Sequence, residues 1–392
     1  MEKICLLWTI FFCTSLTILA ADMDSSVAKF SVDFLNQLPK SQSVVSSPLS
    51  CEIVLALLAL GSEDPSHSEL LKALSLTDSN LKKSFQGIAG AFQTVKGVTL
   101  NVANKIYVKQ GGYNVHPELT KDAIEIFKAE IEKVDFGQSV ETVALINSWV
   151  ENKTNKKIKD LLTADSVNSD TRLVLINAIH FKGLWKNKFL EENTRDREFH
   201  VNPSRKVKIP MMAQENTFRY GVSEKLKAQL LDMPYEGGEA SMLIILPDAI
   251  EGLQDVMDKL LGGHDLMQEY KKLKSRKVNA VIPKFKIETE IDLVPVLKAL
   301  GVISIFDQSK ENGLTKLLDN EENLYVSKAI QKAFIEVNEE GTEAAAATGM
   351  VLMMRCMPMP PPEFVADRPF VYALVGPENT TLFVGTFAGN GN

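Results

Sequence analysis

The chain has 392 residues, with 43 Lys and Arg against 50 Asp and Glu and a net charge of −7. At 45% apolar and 24% charged it is a globular sequence, too apolar for a disordered chain and too charged for a bundle of membrane spans. The acidic balance argues against general nucleic-acid binding, which needs a basic surface to displace counterions.

Lys3 precedes an apolar run, Cys5 to Cys13 with Leu16, Ile18 and Leu19, and the small pair Ala20-Ala21 precedes the polar Asp22. This reads as a secretory signal peptide over 1–20, cut after Ala20 or Ala21, with an extracellular mature chain over 21–392. The run is too short to serve as a membrane anchor, so the membrane is not expected as a partner. Removing the signal takes Cys5 and Cys13 with it and leaves Cys51 and Cys356. Cys51 lies in an apolar run and reads as a buried small hydrophobe. Cys356 lies in an exposed loop, and no bond between the two is expected. Two glycosylation sequons, at Asn152 and Asn379, become available in a secreted chain.

Along the mature chain, Val27, Phe30, Phe34 and Leu38 have helical spacing. A second helix follows Pro48 and ends at Gly61, and a third is expected from Ala144 to Leu162. The continuous apolar run Leu173 to Phe181 predicts a central strand covered on both faces. Met242 to Leu246 predicts a second buried strand. Phe370–Val375 and Thr381–Thr386 predict a hairpin with Asn379 in its turn. With no linker and no internal repeat, these elements point to an α+β fold in one large domain.

Signatures of catalysis are absent. There is no Gly-x-Ser-x-Gly elbow, no phosphate loop and no His-Glu-x-x-His pair. His67, His116, His180, His200 and His264 have no neighbours at ligand spacing, so neither an enzyme nor a metal site is expected.

The unusual segment is 334–362. Phe334 to Glu340 alternates like a strand, and Gly341, Thr342, Glu343, Ala344, Ala345, Ala346 and Ala347 are small or flexible around one charge. Met350 to Met357 is Met-rich, and Pro358, Pro360, Pro361 and Pro362 end it. Lys332-Ala333-Phe334 through Glu339 to Ala346 resembles the hinge of the serpins, the serine protease inhibitor family. Ser47-Pro48-Leu49-Ser50, Asn147-x-Trp149-Val150, Asn177 through Trp185, Pro283-Lys284-Phe285 and Asp367-Arg368-Pro369-Phe370 resemble further serpin segments in order. The likeness thus spans essentially the whole mature chain.

The resemblance implies three β-sheets, about nine helices and an exposed reactive-centre loop at about 339–362. It also implies a monomer that traps proteases: attack on the loop gives an acyl-enzyme, and the cut loop enters the main sheet as a new strand. The residues suit insertion. An entering strand alternates its side chains between two faces. One set, Thr342, Ala344, Ala346, Thr348, Met350 and Leu352, is uncharged and small at its start. No proline interrupts 341–357. By family spacing from Gly341 the scissile bond is Arg355–Cys356, and Arg suits trypsin-like proteases, whose specificity pocket ends in a carboxylate. An Arg-Cys bond in a Met-rich loop resembles secreted arthropod members, including those of blood-feeding ticks.

The resemblance further implies that Ser47, Ser50 and Asn177 gate sheet opening, that Trp185 lies where the strand enters, and that Lys284 pairs with Glu339 at the loop's base. Gln331 stands where the family usually has His. No cofactor is expected. If a heparin-like polyanion binds, Lys271, Lys272, Lys274, Arg276 and Lys277 are the first candidates and Lys153, Lys156, Lys157 and Lys159 the second. The competing readings are a non-inhibitory serpin, acting as carrier, store or substrate, and a cross-class inhibitor of cysteine proteases.

Overall fold

The computed structural model describes residues 27, 29–86, 95–320, 322–340 and 360–389. Its first helix covers 29–36 (α1) and buries Phe30 and Phe34. After β1 (Val44–Ser46), Ser47 caps α2 (Pro48–Leu60): its hydroxyl accepts from the Ser50 amide, and Pro48 sits where no amide partner is needed. Apart from Ser50 and Glu52, α2 is apolar, and it is buried over almost its whole length, so it lies inside the molecule rather than on it. Cys51 is buried there, as its apolar run predicts.

The chain continues through α3 (Ser66–Leu74), α4 (Asp78–Phe85), β2 (Val98–Lys109), α5 (Pro117–Glu125), β3 (Glu130–Val134) and α6 (Ser139–Lys153). Helix α6 corrects the expected span of Ala144 to Leu162. It starts at Ser139 and stops at Lys153 because Asn155 and Lys156 take positive φ, which turns the chain out of the helix. Thr154, fully buried, donates its hydroxyl to Val150 O and accepts from the Ile158 amide, so the apolar Ile158, Leu161 and Leu162 still cover the sheet outside the helix.

Strand β4 (Leu173–Gly183) extends the expected central strand by two residues. It stands in the middle of a five-stranded sheet ordered β10-β11-β4-β2-β3, with β10 at Phe285–Asp292 and β11 at Val326–Val337. Its alternating side chains enter two cores. Leu173, Leu175, Ile179 and Phe181 face the main core under α2. Val174, Ile176 and Ala178 face a second cluster with Val143, Ile146 and Val150 of α6. Full burial of each large aliphatic here contributes about 1.5–3 kcal/mol, which is why so apolar a run is found on a strand covered on both faces.

The remaining strands are β5 (Arg195–Asn202), β6 (Arg205–Ser223), β7 (Ala228–Pro234), β8 (Ser241–Pro247), β9 (Lys274–Pro283), β12 (Glu363–Val365), β13 (Phe370–Val375) and β14 (Thr381–Phe387). They form a nine-stranded sheet ordered β1-β14-β13-β8-β7-β6-β9-β12, with β5 on β6. The 19-residue β6 joins two halves: its first part pairs β5, its middle β9 and its end β7. The second and third sheets of the expected three are therefore continuous through one strand. The expected hairpin is β13–β14, with Asn379 in the turn. Helices α7 (Leu253–Leu261), α8 (Leu266–Lys272) and α9 (Leu293–Ala299) complete nine α-helical segments among the described residues.

Candidate functional site

Strands β11 and β4 are parallel neighbours, although both pair antiparallel to their other partners. A strand that doubles back from the end of β11 runs antiparallel to β11 and so to β4. A parallel pair is the geometry that such a strand can enter while bonding well to both sides. β11 ends at Val337, and Asn338, Glu339 and Glu340 follow it towards residue 341.

The seam is held from below by buried polar side chains. Gln331, Asn177 and Asn104 lie in register across β11, β4 and β2 and form a row of amides on the core face. Gln331 Nε2 donates to Asn177 Oδ1 at 2.6 Å and to Ser47 O at 2.9 Å. Gln331 Oε1 accepts from Ser46 Oγ at 2.6 Å and from the Ser47 amide at 3.1 Å. Asn177 Nδ2 donates to Ser50 Oγ at 2.5 Å and to Asn104 Oδ1, while Ser50 Oγ donates to Asn104 Oδ1 at 3.0 Å. Ser47 Oγ donates to Leu382 O at 2.7 Å, tying the start of α2 to β14. All six side chains are buried, so each unmade bond would leave a desolvated polar atom.

At the upper end, the backbone leaving β11 is clamped to β4's extension. Trp185 Nε1 donates to Asn338 O at 2.8 Å and the Trp185 amide donates to Glu340 O at 3.3 Å. The indole stacks on Tyr235 at 4.5 Å between ring centres. Lys284 meets Glu339 at 2.7 Å, and Thr194 Oγ1 donates to the same carboxylate at 2.8 Å. Glu339 is 8% exposed at its side chain and Lys284 42%, so the pair is buried on one side only. Burial opposes the charge on Glu339, but the bonds from Lys284 and Thr194 outweigh it and hold the carboxyl below its ordinary range. Lys182 on β4 reaches the exposed Glu340 at 2.7 Å, and that bond lowers Glu340 as well.

The structure therefore brings Ser47, Ser50, Asn177 and Gln331 together in one network and Trp185, Lys284 and Glu339 in another. Gly341, Thr342, Glu343, Ala344, Ala345, Ala346, Ala347, Arg355 and Cys356 lie outside the described residues. Ser46, Asn104, Lys182 and Thr194 belong to the two networks and were missed by sequence reasoning. None of them carried a signal in the sequence: Asn104, for one, shares its strand with Thr99, Asn101 and Lys105.

Asn152 is exposed near the end of α6. In the basic segment from the end of α8 into β9, Lys272 pairs with Glu269 at 3.0 Å, Lys277 pairs with Glu215, and Arg276 lies over the Tyr220 ring. In the second cluster Lys153 pairs with Glu130 at 2.9 Å, Lys159 faces Glu151 at 3.7 Å and Lys157 lies over Phe334, while Lys156 is exposed. Among the described residues no group of three or more His, Cys, Asp or Glu is placed to hold a metal.

The model of the serpin (serine protease inhibitor) family matches residues 25–389. The chain is a serpin. Antichymotrypsin-2 of Bombyx mori is 39% identical over 93% of this serpin and 96% of its own length. Antitrypsin of the same insect is 38% identical over 93% and 92%. Among solved structures, Serpin48 of the insect Tenebrio molitor superposes with a TM-score of 0.82 at 31% identity, over 95% of this serpin and 98% of that chain. These relatives are named for inhibiting proteases and not for catalysis, and the family implies proteases as targets.

Proposed function

We propose that this serpin is secreted and inhibits trypsin-like serine proteases as a suicide substrate cut at Arg355–Cys356. The observation that carries the reading is the parallel pairing of β4 with β11 beside a segment whose composition suits strand insertion. The protease's serine attacks the Arg355 carbonyl, the Cys356 amine leaves, and an ester joins enzyme to inhibitor. The freed segment then enters between β11 and β4 before water hydrolyses the ester. Its uncharged, initially small side-chain set suits entry beside buried strands, where a charge would be costly.

Overall similarity does not select the target. Two Bombyx mori relatives named for different proteases are 39% and 38% identical to this serpin. Arg355 supplies the selection, through the carboxylate at the base of a trypsin-like pocket. The leader at 1–20 supports export, which opens Asn152 and Asn379 to glycan attachment. No obligatory cofactor enters the scheme. A heparin-like polyanion would act as an accelerator on the segment from Lys271 to Lys277, and inhibition rates with and without heparin test that.

Mixing the serpin with trypsin tests the main reading. The expected product is a band stable to heat and SDS at the summed mass, lost in Arg355→Ala. Plain cleavage without that band would place the chain among non-inhibitory serpins.

A further inference from the structure

A second row of side chains crosses the β4–β11 seam on the face opposite the amide row. Phe334 of β11 is in register with His180 of β4, which is in register with Asn101 of β2. The Phe334 and His180 rings lie 5.4 Å apart, and Lys157, from the segment following α6, lies 5.8 Å over the Phe334 ring. His180 is buried. Asn101 Nδ2 donates to His180 Nδ1 at 3.1 Å, so the imidazole proton sits on Nε2, which has no hydrogen-bond partner.

We propose that the His180–Phe334 contact is an acid-sensitive latch: protonation of His180 releases it and lets a strand enter the seam faster. The proposal rests on the reading of this seam as the entry site. A second proton on the ring would set Nδ1–H against the Asn101 amide N–H groups, turning a hydrogen bond into a clash of donors. It would also place a charge in a buried site with Nε2–H still unpaired. The charged groups facing the ring from each neighbouring element are Lys157 after α6, Lys182 on β4 and Glu336 on β11, while β2 presents the neutral Asn101. Glu336 is already engaged by Lys286 at 3.1 Å. Burial first, then Lys157, pushes the imidazole down to about 4, against 6.5 for the ordinary group. An opened seam returns the ring to water and to its ordinary value. Acid between those limits therefore favours the open state, by roughly tenfold or more at pH 5 relative to pH 7.4.

The test uses the intact protein and a synthetic acetylated peptide copying 343–354, with incorporation followed on native gels at pH 7.4 and 5.0. Wild type is expected to take up the peptide about tenfold faster at pH 5.0. His180→Gln keeps an acceptor for Asn101 but cannot take the proton, and its rates at the two pH values should agree within about twofold. Lys157→Ala brings the closed-state value nearer the ordinary one, so its acceleration between pH 7.4 and 5.0 should be smaller than that of wild type. If His180→Gln retains the full wild-type pH ratio, the latch is wrong. If that variant does not fold, His180→Phe gives the same comparison with an aromatic ring kept against Phe334. A peptide that enters at neither pH overturns the seam as entry site, and the latch with it.

Discussion

Gln331 and Asn177 join side chains across the β4–β11 seam at 2.6 Å, and they are register partners although 154 residues apart in sequence. Gln331 uses both ends of its amide, accepting from Ser46 Oγ and the Ser47 amide and donating to Ser47 O and Asn177. Gln331→Ala strands these partners in a dry site, at a cost of about 2–4 kcal/mol to the intact form. Thermal melting of the uncut protein should drop accordingly, and an unchanged melt would show that the row does not hold the seam.

The Lys284–Glu339 pair gives a signed pH prediction. Glu339 is held below its ordinary range, so the pair's stabilisation is present above about pH 4.5 and is lost as pH falls through the lowered value. Lys284→Met removes the main cause of the depression. Because Lys284 is half exposed, the loss at pH 7 should be about 1–2 kcal/mol, less than for a fully buried pair. Melting curves of the two proteins, well separated at pH 7, should converge as the pH falls below 4.

Glu52 carries a different sign. It is buried beside Cys51 in α2, its Oε2 lacks a hydrogen-bond partner, and burial pushes its carboxyl up to about 8. It is therefore neutral in the folded protein at pH 7 and ionised in the unfolded chain. A raised carboxyl leaves stability intact below about pH 4.5 and erodes it as pH rises to about 8. Glu52→Gln removes this dependence and should stabilise the protein by about 3 kcal/mol at pH 7, at one pKa unit per 1.36 kcal/mol. The gain should vanish at pH 4; a gain of equal size at both pH values would point to packing instead.

Gly183 ends β4 against Tyr235, and a Cβ there would lie 2.4 Å from the Tyr235 ring. That ring is fully buried and stacks on Trp185, so it cannot yield without moving the indole that bonds Asn338 O. Gly183→Ala should cost about 1–3 kcal/mol as overpacking and shift the Trp185 fluorescence. An unshifted spectrum would mean the stack does not transmit the strain to the loop's base.

Much of this arrangement was legible because it is local. Ser47-Pro48 announces the start of α2, the run from Leu173 announces a doubly covered strand, and Phe370 to Thr386 announces the β13–β14 hairpin. Pairings between distant segments were legible only where family likeness supplied them, as for Lys284 and Glu339. Asn104 and Thr194 carry no such mark, since a lone amide or hydroxyl acquires its role only from what the fold sets opposite it. The end of α6 was misjudged because apolar spacing persists to Leu162 while the backbone leaves the helix at Asn155 and Lys156. A covering segment needs apolar side chains whether or not it is helical.

The five-stranded sheet distributes its ion pairs unevenly. Lys286–Glu336 and the contacts of Lys332 with Glu288 and Glu290 tie β10 to β11, and Lys105 ties β2 to β3 through Glu130 and Glu132. Among the described residues no ion pair joins a strand residue of β4 to one of β11. Of the sheet's four joints the outer two are riveted and the two that flank β4 are not, and of those two only β4–β11 is parallel, a perforated line down the sheet. On the function proposed above, setting opposite charges across that line would weld it and stop strand entry while leaving Arg355 untouched. If that function holds, speed of capture and choice of prey drift independently, because they are written in different stretches of the chain.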